Sequence, residues 1–469
     1  MMAKRDSLEI NPKRKPNSKK SKVSLVQQHQ ITKTFTKMSG LSITLQTLFI
    51  LAMLHLSSGC INYDADGFQC FCSEDGKELE CDDASTVPEF FANNETFEKL
   101  EFMADTHIKR FPPKAFQNIV VRKIIITQNH VKLNIHRKAF RSQRKRLESL
   151  VLTNCKIDNL PDRLFYKMKR LSTVILSSNK ISQLRPETFQ RAYSIKTLDL
   201  QNNRIRSIKS DTFRYLKNLK TLQLGGNQID FMDSNAFNGL SNLKMLHLDH
   251  NYIRDLQPQG FATLKSLDTL DLSHNQIPAL FPLMLKGMAG VKKLILDDNP
   301  LLIIFDNTFE ESANLEELHI SRTKLMFLNS RMFIGLSNLR LLALHENNIT
   351  SLEDDVFDYL HNLKVIELNG NLMKTINPCA FRYKDRMQSI IAQGNLLSCN
   401  CDMQWVLTYQ DLVDAQCAYP RGSDVTNRKN YEKCKSKHRK GGVKCASHHN
   451  SHYERREEMS NVIEVHRAG

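Results

Sequence analysis

The stretch LKMLHLDHNYI, residues 243–253, sets polar residues inside an apolar frame: Leu243, Leu246 and Leu248, then Asn251 and Ile253. The same frame stands one unit earlier at Leu219, Leu222, Leu224 and Asn227, and one unit later at Leu267, Leu270, Leu272 and Asn275. Asn179, Asn203, Asn227, Asn251, Asn275 and Asn299 recur every 24 residues, and the register continues through Thr323, Asn347, Asn371 and Asn395. Upstream, Cys155 holds the asparagine position after Leu147, Leu150 and Leu152. Two weaker units end at Asn129, after Val121, Ile124 and Ile126, and at Asp105, after Phe97, Leu100 and Phe102. Thirteen units in phase leave no room for chance. A unit this short cannot bury its own apolar face, so neighbours must stack and share one core.

The spacing LxxLxLxxN/C-x-I/L is the leucine-rich repeat signature. It predicts an α/β-type solenoid: a curved, right-handed superhelix with a parallel β-sheet on its concave side, disulfide-capped at both ends. The leucines of each short strand point inward, and the asparagine side chain bonds backbone groups where the chain turns away. A second column fills the opposite side of the core: Phe140, Phe165, Phe189, Phe213, Phe237, Phe261, Phe309, Phe333, Phe357 and Phe381, with Leu285 in place of one phenylalanine. Cys155 and Cys379 are expected as buried small apolar residues, too far apart along the solenoid to pair with each other.

The chain has 469 residues, 41% of them hydrophobic, enough for a large core. Its formal charge of +16 is unevenly spread: residues 1–37 hold ten Lys/Arg against Asp6 and Glu9, and the chain from Cys60 onward carries 56 basic against 48 acidic residues. The eleven cysteines cluster at Cys60, Cys70, Cys72 and Cys81 and again at Cys399, Cys401, Cys417, Cys434 and Cys445, leaving only Cys155 and Cys379 between. Such brackets suggest terminal disulfide staples and an oxidising compartment. Zinc would favour CxxC pairs, whereas the short spacings here are Cys70-Phe71-Cys72 and Cys399-Asn400-Cys401.

An apolar run from Leu41 to Leu56, followed by Ser57, Ser58 and Gly59, reads as a signal peptide, being shorter than the ~20 residues of a membrane-spanning helix. The basic tract before it leaves three arrangements open: a start at Met38, a long n-region, or a signal anchor with a basic cytosolic tail. Secretion is the expectation, and a type II plasma-membrane protein the alternative, so a membrane enters only if the signal is uncleaved. The expected organisation is a basic extension and signal at 1–59, an N-terminal cysteine cap at 60–96, about 12 repeats at 97–394, a C-terminal cysteine cap at 395–434 and a basic, disordered tail at 435–469.

From Cys60 to Cys434 the chain resembles the extracellular leucine-rich repeat proteins of animals, including chondroadherin-like matrix proteins, the insulin-like growth factor acid-labile subunit and Slit-type ectodomains. CINYDADGFQCFCSEDGKELEC, from Cys60, resembles their N-terminal cap, which implies Cys60–Cys72 and Cys70–Cys81 bridges, although the first gap is longer than usual. NLLSCNCDMQWVLTY, with QCAYPRG and YEKC beyond it, resembles their C-terminal cap. That implies Cys399–Cys417 and Cys401–Cys434, with Trp405 packed on the last repeat, and leaves Cys445 unassigned.

The positions between the strand leucines face the concave surface. One column is Asp199, Gln223, His247, Asp271, Ile295, His319, Ala343 and Glu367; the next is Asp249, Ser273, Asp297, Ser321 and His345; the third, at the strand end, is His250, His274, Asp298, Arg322 and Glu346. With Lys293 and Glu317 from the strand starts this gives eight carboxylates, two Lys/Arg and five histidines. An acidic patch on a basic molecule favours a basic partner. His250, His274 and Asp298 lie on strands ~4.8 Å apart and could converge on a metal. A solvated polar face is the preferred reading, and no metal or other cofactor is expected. Toward one end Ile125, Val151 and Ile175 form an exposed β-branched ladder, and toward the other Leu341, Val365 and Ile391 recur; such patches mark protein contacts.

Two basic clusters lie elsewhere: Arg137, Lys138, Arg141, Arg144, Lys145 and Arg146 in a loop two residues longer than its counterparts, and Lys435, Lys437, Arg439, Lys440 and Lys444 in the tail. Outside a cell these attract sulfated glycosaminoglycans rather than nucleic acid, and chondroadherin-like proteins also end in a basic tail. Asn94 and Asn348 head N-x-T glycosylation sites. No HExxH, phosphate-binding glycine loop or nucleophile elbow occurs. The reading is a non-enzymatic, secreted matrix or cell-surface adaptor with a protein ligand on its concave face. A membrane-anchored receptor or co-receptor is the alternative, and a metal-dependent enzyme the remote one.

Overall fold

A computed structural model describes residues 63–65, 68–82, 84–85, 87, 95–103, 106–381 and 383–434. All belong to one compact unit that begins at Ile61. The apolar run 41–56, Cys60, Asn94, Asp105, Cys445 and the basic residues from Lys435 to Lys444 lie outside the described residues. No helix among the described residues is long and apolar enough to cross a membrane.

The 24-residue period becomes a sheet register without slippage. Thr221, Leu222 and Gln223 pair in parallel with Met245, Leu246 and His247, which pair in turn with Thr269, Leu270 and Asp271. In each strand the central leucine is fully buried and the last residue half-buried, the alternation a period-2 side-chain pattern demands. Stacked coils of this kind form a parallel solenoid of about 13 turns. The sheet starts in an antiparallel meander of Tyr63–Ala65, Phe68–Cys72 and Glu78–Asp82, whose last strand begins the parallel ladder against Glu95–Phe102. It ends with Ser389–Ile391 against Val413–Asp414. No α-helix occurs among the described residues: the side opposite the sheet is made of short 3-10 turns such as Pro186–Phe189 and Ser330–Phe333, and of two-residue strand pairs such as Ser207–Ile208 with Phe231–Met232. A 24-residue unit leaves too few residues between strands for a stable α-helix.

The asparagines join the turns. Asn251 donates to the carbonyls of Leu248 and Asp249 in its own turn and of Leu224 in the preceding one, while its Oδ1 accepts from the Ile229 amide. These four bonds satisfy backbone groups that burial would otherwise leave unpaired. Thr323 takes part through its hydroxyl, which donates to Asn347. Cys155 donates its amide to Asn179 and turns Sγ toward the Thr153 carbonyl at 3.3 Å. Burial pushes the Cys155 thiol up to about 12, so it is inert toward oxidants at neutral pH. Behind the sheet the phenylalanines form a column, with ring centroids 5.9 Å apart for Phe165–Phe189 and 6.3 Å for Phe213–Phe237. Where Leu285 interrupts it, Phe281 and Phe305 stack at 4.4 Å instead.

Disulfides stand at both ends. Cys70 bonds Cys81, directly opposite it in the antiparallel register, and Cys399 bonds Cys417 while Cys401 bonds Cys434. Trp405 donates its indole N–H to the Ile376 carbonyl at 3.0 Å, fastening the last segment to the final repeat. One expectation is corrected: Cys379, although buried, is disulfide-bonded rather than a free apolar residue. Its distance from Cys155 excluded only that one partner. It sits in the 3-10 turn Pro378–Ala380, one repeat before the terminal cysteine cluster. Cys445 is the cysteine that the resemblance leaves unassigned, so peptide mapping of the unreduced protein should link it to Cys379. A free thiol at Cys445 would contradict this pairing.

Candidate functional site

Parallel sheets are usually covered on both faces. Here one face carries polar side chains outward, and its register places them in rows. His247 stands opposite Asp271, and Lys293 opposite Glu317. The strand-end position just before each asparagine adopts a left-handed backbone. Gly226 and Gly370 fill it at little cost, but His250, His274, Asp298, Arg322 and Glu346 hold φ between 51° and 56° there. A side chain with a Cβ is strained there by about 1 kcal/mol, a cost the repeat also carries at Asn154, Ser178 and Asn202.

These side chains form a network across six repeats. His247 Nδ1 lies 3.7 Å from Asp271 Oδ2, and His250 Nδ1 lies 3.1 Å from Asp249 Oδ2. The His250 and His274 rings stack with centroids 4.0 Å apart, and His274 Nε2 is 3.3 Å from Asp298 Oδ2. Arg322 grips Asp298 with Nε and Nη2 at 2.8–2.9 Å and donates Nη1 to His345 Nε2 at 2.9 Å. His345 Nδ1 faces Glu367 at 3.2 Å, while Glu317 lies between Lys293 at 2.6 Å and His319 at 3.4 Å. Asp297 accepts from the Ser321 amide. Asp199 accepts from the Gln201 amide at its own strand end, outside this network, and Glu346 is exposed.

The electrostatics follow from these contacts. The hydrogen bond to Asp271 raises the His247 pKa against the opposing effect of burial. Burial pushes Asp271 upward, but His247 and the Ser273 hydroxyl and amide outweigh it and hold its carboxyl below the ordinary range. Asp298 likewise ends low because Arg322 outweighs burial, and Lys293 holds Glu317 low.

His250, His274 and Asp298 do come together, but the Arg322 fork occupies the carboxylate a metal would need. A different trio, His247, Asp249 and Asp271, places one ligand atom from each within 4.8 Å of the others. His247 there is already turned to Asp271, and the Asp249 carboxylate is folded over Gly225, where a Cβ would lie 2.7 Å from its oxygen.

The apolar ladder needs correction. Ile125 is only 8% exposed, paired between Glu101 and Val151. Val151 and Ile175 are half-buried. At the other end Leu341 and Val365 line a depression of about 650 Å³ together with Arg340, Lys364 and Gln388. Asn348 is exposed.

In the basic loop Arg137, Lys138, Arg141, Lys145 and Arg146 are exposed. Arg144 is half-buried, its guanidinium 5.3 Å from the centre of the Tyr166 ring. Burial and the neighbouring Arg141 lower its pKa. Lys167 at 5.5 Å and Arg191 at 5.7 Å share that ring, and neither was picked out from the sequence. Their signal was basic residues about one repeat apart, Arg144, Lys167 and Arg191, read across turns rather than along the chain.

Comparisons with known proteins agree with this geometry. None of the curated proteins matches the chain. Among solved structures it is similar to a chain of the TLR13–ssRNA13 complex (TM-score 0.54, 25% identity, 68% of this chain and 54% of that one). It is also similar to a chain of the octameric complex of Latrophilin 3, Unc5D and FLRT2 (LRR) (TM-score 0.55, 22% identity, 62% and 91%) and to one of the Drosophila Toll–Spatzle complex (TM-score 0.55, 18% identity, 76% and 59%). This chain thus spans about half the length of the TLR13 chain. The leucine rich repeat family model matches residues 145–204, 193–253, 218–277, 241–301, 289–347 and 337–397, a continuous cover of more than half the sequence. With its asparagine ladder, open parallel sheet and one-unit register, the chain belongs to the leucine rich repeat family.

Proposed function

We propose that the chain is an extracellular, non-enzymatic binding protein that captures a protein ligand on the sheet face between Asp199 and Glu367. A single observation carries this reading. The face holds an ordered, acidic network of paired side chains on a basic chain, where a merely solvated face would need no such order. The disulfides support an oxidising compartment, and the Toll–Spatzle and Latrophilin 3–Unc5D–FLRT2 complexes show similar solenoids in assemblies with protein partners. Binding of the purified protein to intact cells tests it. Joint replacement Asp249→Asn, Asp298→Asn and Glu317→Gln should abolish cell binding, and unchanged binding would refute the assignment of the face.

Sulfated glycans are proposed as a second contact, held by the basic loop and the Arg144–Tyr166–Lys167–Arg191 cluster and aided by the tail. Lys145→Glu with Arg146→Glu should lower the slope of log heparin affinity against log salt by about 2, since each lost sulfate contact releases fewer counterions. Replacing Lys435, Lys437, Arg439, Lys440 and Lys444 with glutamine should lower it further while keeping Cys445 and leaving the fold intact. An unchanged slope in both variants would remove the glycan contact.

A further inference from the structure

The network on the sheet face is most acidic while its imidazoles are neutral. The three columns between Asp199 and Glu367, with Lys293 and Glu317, carry eight carboxylates and two fixed cations, Lys293 and Arg322, a balance of −6. Along the edge, one residue before each strand, stand Lys196, Lys220, Lys244, Lys292, Arg340 and Lys364 against Asp268 and Glu316. Four histidines each lean on a carboxylate: His247 on Asp271, His250 on Asp249, His274 on Asp298 and His319 on Glu317. Protonating all four would bring the balance to −2.

The surroundings of each ring decide its part. His247 faces Asp271 and Asp249, with uncharged Gln223 on the preceding strand, so nothing cationic opposes its proton. His250 and His274 stack on one another, so a charge on one ring opposes a charge on the other. Asp249 and Asp298 flank the pair, and Arg322 lies beyond Asp298. His319 shares Glu317 with Lys293. His345 is left out of the four, because its Nε2 is taken by the Arg322 guanidinium.

We propose that this face binds a protein partner through a lysine- and arginine-rich segment at neutral pH and releases it when the four histidines take up protons. The inference rests on the sheet face being the ligand surface, and it adds the partner's chemistry and the condition for release. The sign follows from linkage: a cationic partner disfavours imidazolium, so binding weakens as pH falls through the histidine range. The hydrogen bond to Asp271 raises the His247 pKa above the ordinary imidazole value. Asp271, Asp298 and Glu317 are held below the ordinary carboxylate range, so they stay charged while the imidazoles titrate.

Fluorescein-labelled nona-arginine serves as the probe, its anisotropy read on the full secreted chain at about pH 7.5 and about pH 5.5. The wild type should bind about tenfold or more weakly at the lower pH. The variant His247→Gln, His250→Asn, His274→Asn and His319→Gln should bind equally at both, because neutral amides keep the −6 balance. The variant Asp249→Asn, Asp298→Asn and Glu317→Gln should lose binding at both, with an unchanged melting temperature showing that it is folded. Absent wild-type binding near pH 7.5, pH-independent wild-type binding, or the same acid loss in the histidine variant would each overturn the proposal. Binding that survives the carboxylate changes would instead place the site elsewhere and overturn the sheet-face reading itself.

Discussion

Asn251→Leu should destabilise the solenoid by about 4 kcal/mol, because it strands buried backbone groups at 1–3 kcal/mol each. The asparagine is 4% exposed and makes four hydrogen bonds, to the carbonyls of Leu224, Leu248 and Asp249 and from the Ile229 amide. Leucine fills a similar volume but offers no donor or acceptor, so both neighbouring turns lose their tie. The ladder spans repeats, so loosening should spread to the turns ending at Asn227 and Asn275 and no further. Urea unfolding by circular dichroism reads the energy, and amide hydrogen exchange reads the spread. A loss below about 1 kcal/mol would show that packing alone holds the turns together.

Cys401→Ser should have an effect of similar size, by a different route. The Cys401–Cys434 bond closes a loop with a sequence separation of 33. Chain-entropy arithmetic gives such a loop about 4 kcal/mol of stabilisation. The bond also fixes the 3-10 segment Cys401–Thr408, which carries Trp405 onto Ile376 and covers the end of the core. Little folded protein should reach the medium of an oxidising expression host. Cys155→Ala, which removes only a buried thiol bonded weakly to carbonyls, should cost about 1 kcal/mol. Equal yields of the two variants would contradict a structural role for the terminal bond.

The sequence made some levels of this structure legible and hid others, for a physical reason. A fixed period determines which residues share a row, so the buried leucines, the phenylalanine column and the neighbours of His250 could all be read by counting. Counting does not determine which way a side chain turns. His274 and Asp298 were placed side by side, but nothing in the spacing said that the Arg322 fork would take Asp298 and leave His250 stacked on His274. Ile125 was assigned to the exposed face by its position, yet it is 8% exposed while Val151 and Ile175 in the same column are half-buried. Cys379 was judged against Cys155 alone, when the question was which cysteine lies near the terminal cluster. Contacts among Arg144, Tyr166, Lys167 and Arg191 likewise cross three turns and have no local motif.

A pair of glycan wedges tests most directly whether the sheet face is where this protein binds. Asp271→Asn completes an Asn-x-Ser sequon with Leu272 and Ser273, so a secretory host would attach a glycan on the half-buried Asp271 position in the middle of the network. Ser210→Asn completes one with Asp211 and Thr212 at an exposed site away from the sheet. Mass spectrometry establishes that each glycan is present, and flow cytometry measures binding of each purified protein to intact cells. The account predicts that the Asp271→Asn protein loses binding while the Ser210→Asn protein binds as the wild type does. Full binding by the glycosylated Asp271→Asn protein would contradict it.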